Sequence, residues 1–184
     1  MDNGASSYRR FLDGEDTGLV EIVRDYKDGL ILYLDSFVRN IYLSEELAED
    51  TFVRLGVKKP RFSGKSSFRT WLYAIGRNIA LDYFRKRSKH ETVPIDECSQ
   101  LSDMESLENA YIREEQKRTV HRAMTKLKDE YRQVLWLIYF EGFSCSEAAG
   151  IMRKSTHAVE TLAYRARQSL KDELTREGYN YEDL

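Results

Sequence analysis

Ser144-Cys-Ser-Glu-Ala-Ala-Gly-Ile-Met152, Arg153-Lys-Ser155 and Thr156-His-Ala-Val-Glu-Thr-Leu-Ala-Tyr-Arg-Ala-Arg167 read as two short amphipathic stretches around a tight turn. Ala148, Ala149 and Ile151 give the first stretch small, apolar packing, and Val159, Leu162 and Ala163 give the second a buried stripe at helical spacing. Ser155 or Thr156 can cap the second helix by accepting a backbone N–H. Glu160, Thr161, Tyr164, Arg165 and Gln168 then point outward, three and four apart, on one face. A helix-turn-helix needs an apolar back and polar side chains able to reach base edges in a major groove. An ordinary helical hairpin with a solvated basic face has the same periodicity, so both readings stand at this level.

Charge separates them further. The chain of 184 residues has 29 Lys and Arg against 31 Asp and Glu, a net of −2, which by itself argues against a polyanionic partner. Residues 13–52, however, hold eleven acids against Arg24, Lys27 and Arg39, a net of −8, whereas 61–89 hold eight bases against Asp82 alone, a net of +7. Residues 91–110 have six acids and no base, and 153–171 have five bases against Glu160, a net of +4. A phosphate backbone feels charge within a Debye length of about 8–10 Å, so the two basic blocks count and the chain average does not.

The elements follow these blocks. Leu19, Ile22, Val23, Tyr26 and Leu30 predict a helix over 19–39, and Ser44, with Glu45 and Glu46 behind it, predicts the start of another that Gly56 ends. Pro60 and Gly64 mark a loop, after which Ser67 caps a helix bearing Phe68, Trp71, Leu72, Ile75, Ile79 and Tyr83. Residues 89–111 read as an acidic linker. Helical patterning resumes from Ile112 to Leu127, followed by Asp129–Phe140 and the two helices of the helix-turn-helix, 144–152 and 156–174. No strand pattern occurs. The expected fold is all-α: an extension over 1–18, helical domains over 19–88 and 112–176 joined by the linker, and an acidic tail, 177–184.

Other function classes recede. The longest apolar run, Val134–Phe140, is far short of the roughly 20 residues a membrane helix needs, and no signal peptide is visible, so a cytoplasmic protein with no membrane insertion is expected. Cys98 and Cys145 form no metal-binding or disulfide pattern, and His90, His121 and His157 have no local partners, so no metal, cofactor or catalytic residue is expected. Residues 61–89 also contain Phe62, Phe68, Trp71, Tyr73, Tyr83 and Phe84, and bases interleaved with aromatics suit single-stranded nucleic acid. Trp71 lies on the apolar stripe with Ile75 and reads as core. Phe62 lies in a loop beside Arg61, Gly64 and Lys65, where a ring can hold an unpaired base.

Glu45-Glu-Leu-Ala-Glu-Asp-Thr-Phe52, then Pro60 to Asn78 with Asp82-Tyr-Phe-Arg85, then Ala158 to Arg167, in this order around an acidic linker, resemble the extracytoplasmic-function (ECF) sigma factors of bacterial RNA polymerase. The resemblance covers about 19–174. It implies a non-enzymatic subunit that binds core RNA polymerase and promoter DNA. Glu45, Glu46, Glu49, Asp50, Phe52 and Arg54 would dock on the β′ clamp helices. Arg61, Phe62, Ser63, Lys65, Tyr73, Arg77 and Asn78 would melt the −10 element and hold an extruded base, with Arg85, Lys86 and Arg87 on phosphates. Lys154, Ser155, Thr156, His157, Glu160, Thr161, Tyr164, Arg165 and Arg167 would face the −35 element, while the second domain meets the β flap. The linker would thread toward the RNA exit path, and an anti-sigma factor is a further expected partner.

Two positions depart from the family pattern. Glu160 stands where relatives often carry a base, and can accept from cytosine N4 rather than donate to guanine; Glu49 stands where a Gln is frequent. The rival reading is a stand-alone helix-turn-helix regulator, which leaves residues 44–89 without a role.

Overall fold

The computed structural model describes residues 3–90 and 119–178. All regular structure among them is helical: α1 (Asn3–Leu12), α2 (Thr17–Val38), α3 (Ile41–Lys58), α4 (Phe68–His90), α5 (119–125), α6 (Asp129–Leu135), α7 (Cys145–Met152) and α8 (Thr156–Arg176). Most of the expected linker, with Cys98, and the end of the acidic tail lie outside the described residues.

Residues 1–18, assigned no element from the sequence, contain α1, which packs on α2 and α4. Its apolar teeth are Tyr8 and Phe11, both buried. The expected start of α3 at Ser44 is corrected: Asn40 is the cap, its side chain accepting the Leu43 N–H at 3.0 Å. Ser44 is fully buried one turn later, its hydroxyl turned back to the Asn40 carbonyl. Gly56 does not end the helix either, which runs on to Lys58 and stops where Lys59 turns left-handed (φ 42°). Ser67 does cap α4, accepting the Thr70 N–H at 3.1 Å.

Leu30 and Leu34 of α2, Leu47 and Leu55 of α3, and Phe68 and Leu72 of α4 have almost no exposed surface and form the centre of the first domain. Truncating such a leucine to alanine costs about 2–5 kcal/mol, because transfer and cavity terms add. The second domain buries Val134, Leu137, Ala148, Ile151, Val159 and Ala166. Between α6 and α7 the helix widens over Trp136–Phe140, the Glu141 N–H reaching the Trp136 carbonyl five residues back at 3.0 Å. The widened turn stacks Trp136 on Phe140 (4.4 Å, 11°) and puts Glu141 at its end, turned toward the first domain. The two apolar centres join in one cluster, with α2 against α6 and α4 against α7.

Candidate nucleic-acid interface

The helix-turn-helix is defined by its caps. The Ser144 hydroxyl accepts the Glu147 N–H (3.2 Å), and the Glu147 carboxylate accepts the Ser144 N–H (3.0 Å) in return. These bonds hold the Glu147 carboxyl below its ordinary range, the Ser144 N–H contributing most. The turn is made by Arg153 in the left-handed region (φ 54°), and Ser155, rather than Thr156, caps α8 by accepting the Ala158 N–H at 3.2 Å. Val159, Ala163 and Ala166 face inward. Ser155, Thr156, His157, Glu160, Tyr164, Arg165 and Arg167 are exposed; Thr161 and Lys154 are half-buried. Lys154 pairs with Glu130 at 3.0 Å, and His157 lies 3.9 Å from Glu160. Beside this face, and sharing Tyr164 with it, an open apolar groove of about 620 Å³ runs between α5, α6 and α8, lined also by Met124, Leu135, Phe140 and Leu170.

The second basic block splits in two. In the loop before α4, Arg61, Ser63 and Lys65 are exposed, and Gly64 makes the turn at φ +71°, a conformation that favours glycine. Phe62 is half-buried, its ring 5.2 Å from Trp71 and 5.6 Å from Phe68, so it rests on the aromatic surface with one side open. Trp71 is half-buried in the same cluster. Asn78 is half-buried, and Arg85, Lys86 and Arg87 are exposed along the end of α4, Arg85 paired with Asp82 at 3.0 Å.

Tyr73 and Arg77 are elsewhere. Both are buried, at 1% and 7% exposure, beneath the second domain. The Tyr73 hydroxyl donates to Glu141 Oε2 at 2.8 Å, and Arg77 Nε donates to Gln133 Oε1 at 2.9 Å. Arg69 pairs with the Glu141 carboxylate, donates to the Glu141 carbonyl at 2.7 Å and lies 4.3 Å over the Phe143 ring. Burial, with the Glu141 carboxylate next, pushes the Tyr73 phenol well up, so it stays a neutral donor. On the neighbouring seam Arg132 Nε donates to the Ser36 carbonyl at 2.6 Å, with its other nitrogens on the Thr125 and Leu127 carbonyls and Asp129. Burial lowers its guanidinium below the usual range, and the Asp129 carboxylate offsets this only in part.

Arg69, Arg132, Gln133 and Glu141 were not found from the sequence. The only local signal is Gly29 in the middle of α2, where a Cβ would stand 2.5 Å from the Tyr73 hydroxyl and 3.3 Å from Glu141. Glycine weakens a helix by about 1 kcal/mol relative to alanine, and here it admits a neighbour instead.

The C-terminal four acids of the acidic block lie on α3. Glu45, Glu46, Glu49, Asp50 and Arg54 are exposed, with Val53 and Val57 at 59% and 71% on the same side as Glu46, Glu49 and Asp50. Phe52 points the opposite way into the core at 7% exposure, because it is on the Ala48–Leu55 stripe. Among the described residues no group of three or more His, Cys, Asp or Glu could hold a metal, and no helix is long and apolar enough to cross a membrane.

Residues 22–90 match the Sigma-70 region 2 family and 117–170 match Sigma-70 region 4. RNA polymerase sigma factor YlaC of Bacillus subtilis (strain 168) is 30% identical over 158 residues, 85% of this chain and 91% of the relative. ECF RNA polymerase sigma factor SigM of the same organism is 30% identical over 151 residues, 82% of this chain and 91% of the relative. The fold is also that of the sigma factor RpoE crystallised with the anti-sigma factor NepR from Bartonella quintana (TM-score 0.68, 23% identity, 84% of this chain and 95% of that one). It is shared by CnrH in complex with the cytosolic domain of CnrY (TM-score 0.63, 24% identity, 95% and 96%). A region 2 domain carrying α3 and α4, a region 4 domain carrying the helix-turn-helix, and near-full-length likeness to these subunits place the chain among the ECF sigma factors, which direct RNA polymerase to promoters.

Proposed function

We propose that this sigma factor docks on the β′ clamp helices of core polymerase through Glu45, Glu46, Glu49, Asp50 and Arg54, with Phe52 supporting the helix from inside. The loop 61–66 opens the −10 element, Phe62 stacking on an extruded base while Arg61 and Lys65 hold the strand. Arg85, Lys86 and Arg87 neutralise phosphates, and α8 reads the −35 element as duplex through Glu160, Thr161, Tyr164 and Arg165. The observation that supports this division best is the separation of surfaces. The acidic face of α3, flanked by exposed Val53 and Val57, suits a protein, and the basic loop and α8 suit a polyanion.

The groove between α5, α6 and α8 fits an apolar helix such as that of the β flap. Tyr73 and Arg77 reach the −10 element only when the two domains part. An anti-sigma partner is supported by RpoE, solved with the anti-sigma factor NepR, and by CnrH, solved with the cytosolic domain of CnrY. The chain works in the cytoplasm by binding, without covalent chemistry of its own.

Run-off transcription with core polymerase on a genomic promoter library tests the whole reading: discrete start sites appear only with both components. A specific gel shift of a promoter duplex by the free chain, equal to that with core polymerase, would favour a stand-alone regulator.

A further inference from the structure

Helix α1 lies outside the region 2 match, yet it holds the root of the loop 61–66. The Tyr8 hydroxyl donates to the Pro60 carbonyl at 2.7 Å, a contact between residues 52 positions apart. The Tyr8 ring is 1% exposed and lies 5.4 Å from Trp71 and 5.5 Å from Phe68, the two rings on which Phe62 rests. One turn on, Phe11 receives Lys59, whose Nζ sits 4.8 Å over its ring. Thus α1 grips the chain at both Lys59 and Pro60, immediately before the loop. Beyond Pro60, no hydrogen bond or ion pair to another described residue holds Arg61, Ser63 or Lys65, and the next hydrogen bonds are those of Ser66 to the Ser67 carbonyl (3.2 Å) and of the Ser67 cap of α4. Gly4 lets α1 approach this closely: a Cβ there would meet the Phe68 ring and stand 2.6 Å from the Tyr26 hydroxyl.

We infer that Tyr8 is a positioning residue for promoter opening: its hydroxyl fixes Pro60, and its ring backs Trp71 and Phe68, so that Phe62 and the loop 61–66 face a captured −10 base in one geometry. This deepens the reading of that loop as the strand-capturing element and rests on it. Burial pushes the Tyr8 phenol up to about 12, so the hydroxyl remains a donor at any working pH.

The test uses holoenzyme reconstituted from core polymerase and full-length chain, on a promoter from the run-off screen and on the same promoter with one −10 base substituted. Permanganate reactivity of the −10 thymines is compared for wild type, Tyr8→Phe, Ile22→Val and Phe62→Ala. Tyr8→Phe keeps the ring and removes only the bond to Pro60. Opening on the preferred promoter is expected to fall about three- to tenfold, and the preferred-to-substituted ratio to fall with it, at unchanged core affinity. Ile22→Val, a core packing change in α2, lowers both promoters alike and leaves the ratio in place. A wild-type ratio for Tyr8→Phe, with Phe62→Ala reducing it, overturns the role of Tyr8 alone. A wild-type ratio for Phe62→Ala overturns the loop reading and the inference together.

Discussion

On α8 the polar side chains Thr156, Glu160, Tyr164 and Arg165 stand in solvent, whereas on α4 Tyr73 and Arg77 face inward and bond Glu141 and Gln133 of the other domain. Both helices carry expected DNA contacts, and both are basic and amphipathic. The difference is what their polar residues touch in the free chain. The α8 face has its back buried and its front open, so the duplex we propose for it would engage it without rearrangement. The surface we propose for the −10 element is divided: the loop 61–66 is open, and Tyr73 and Arg77 of the helix behind it are covered by region 4. A surface closed by its own partner domain exchanges contacts with DNA, so its net gain is smaller than its list of contacts suggests.

The largest effect is expected on the open side. Arg165→Ala removes a forked donor from an exposed face without disturbing the fold, and should cost up to about 3 kcal/mol of −35-dependent transcription. Run-off assays on an intact promoter and on one with a premelted −10 bubble lacking the −35 element check it. Activity should drop on the first and hold on the second. An equal drop on both would mean that Arg165 does not act through the −35 duplex.

Next is the closed side itself. Glu141→Ala deletes the carboxylate that Arg69 and Tyr73 share and leaves a buried phenol without its acceptor. Loss of a charge-assisted bond network of this kind costs about 1.5–3 kcal/mol of domain–domain affinity. Small-angle scattering of the free variant should show a larger radius of gyration than wild type. An unchanged profile would assign the closure to apolar packing, such as Tyr73 on Phe143 at 5.1 Å. The contrast between the two helices would then rest on shape rather than on hydrogen bonds.

Phe62→Ala tests the part of the −10 surface that is already open. Base–aromatic stacking is worth about 1–3 kcal/mol, and Phe62, with one side on Trp71, has the other to offer. Opening, followed by permanganate at the −10 element, should fall about tenfold with −35 duplex binding retained. Reactivity equal to wild type would leave α4 rather than the loop as the melting element.

What the sequence made legible follows the same contrast. Local patterns read correctly wherever the deciding neighbour is within a turn or two: the Val159–Ala163 stripe, the Ser67 cap and the acidic side of α3, whereas the sequence alone leaves the cap of α8 between Ser155 and Thr156. Asn40 was missed because Ser44 offered a capping hydroxyl too, and only the burial of Ser44 against α2 decides between them. The roles of Tyr8, Glu141 and Gln133 depend on partners 52, 68 and 56 residues away, and no periodicity encodes such a distance. Tyr73 and Arg77 were recognised by residue type and motif, which carry no information on which domain covers them.

The smallest effect concerns how the open face is held in shape. Glu147 closes the capping box of α7, and its carboxyl is depressed by the Ser144 N–H and hydroxyl. A depressed carboxyl contributes stability that is present above the unfolded value of about 4.3 and is lost as pH falls through the folded value. Glu147→Gln retains an acceptor and loses the charge, so at pH 7 it should destabilise region 4 by about 0.5–1 kcal/mol. Once the pH has fallen below the depressed folded value the two proteins should converge, since protonated Glu147 and glutamine are then alike in charge. Thermal melts across pH 3–7 check this, and a constant difference at every pH would show that the box acts through geometry alone. Transcription dependent on the −35 element should fall in the same direction for Glu147→Gln, because α7, through the left-handed turn at Arg153, holds the angle at which α8 would meet DNA.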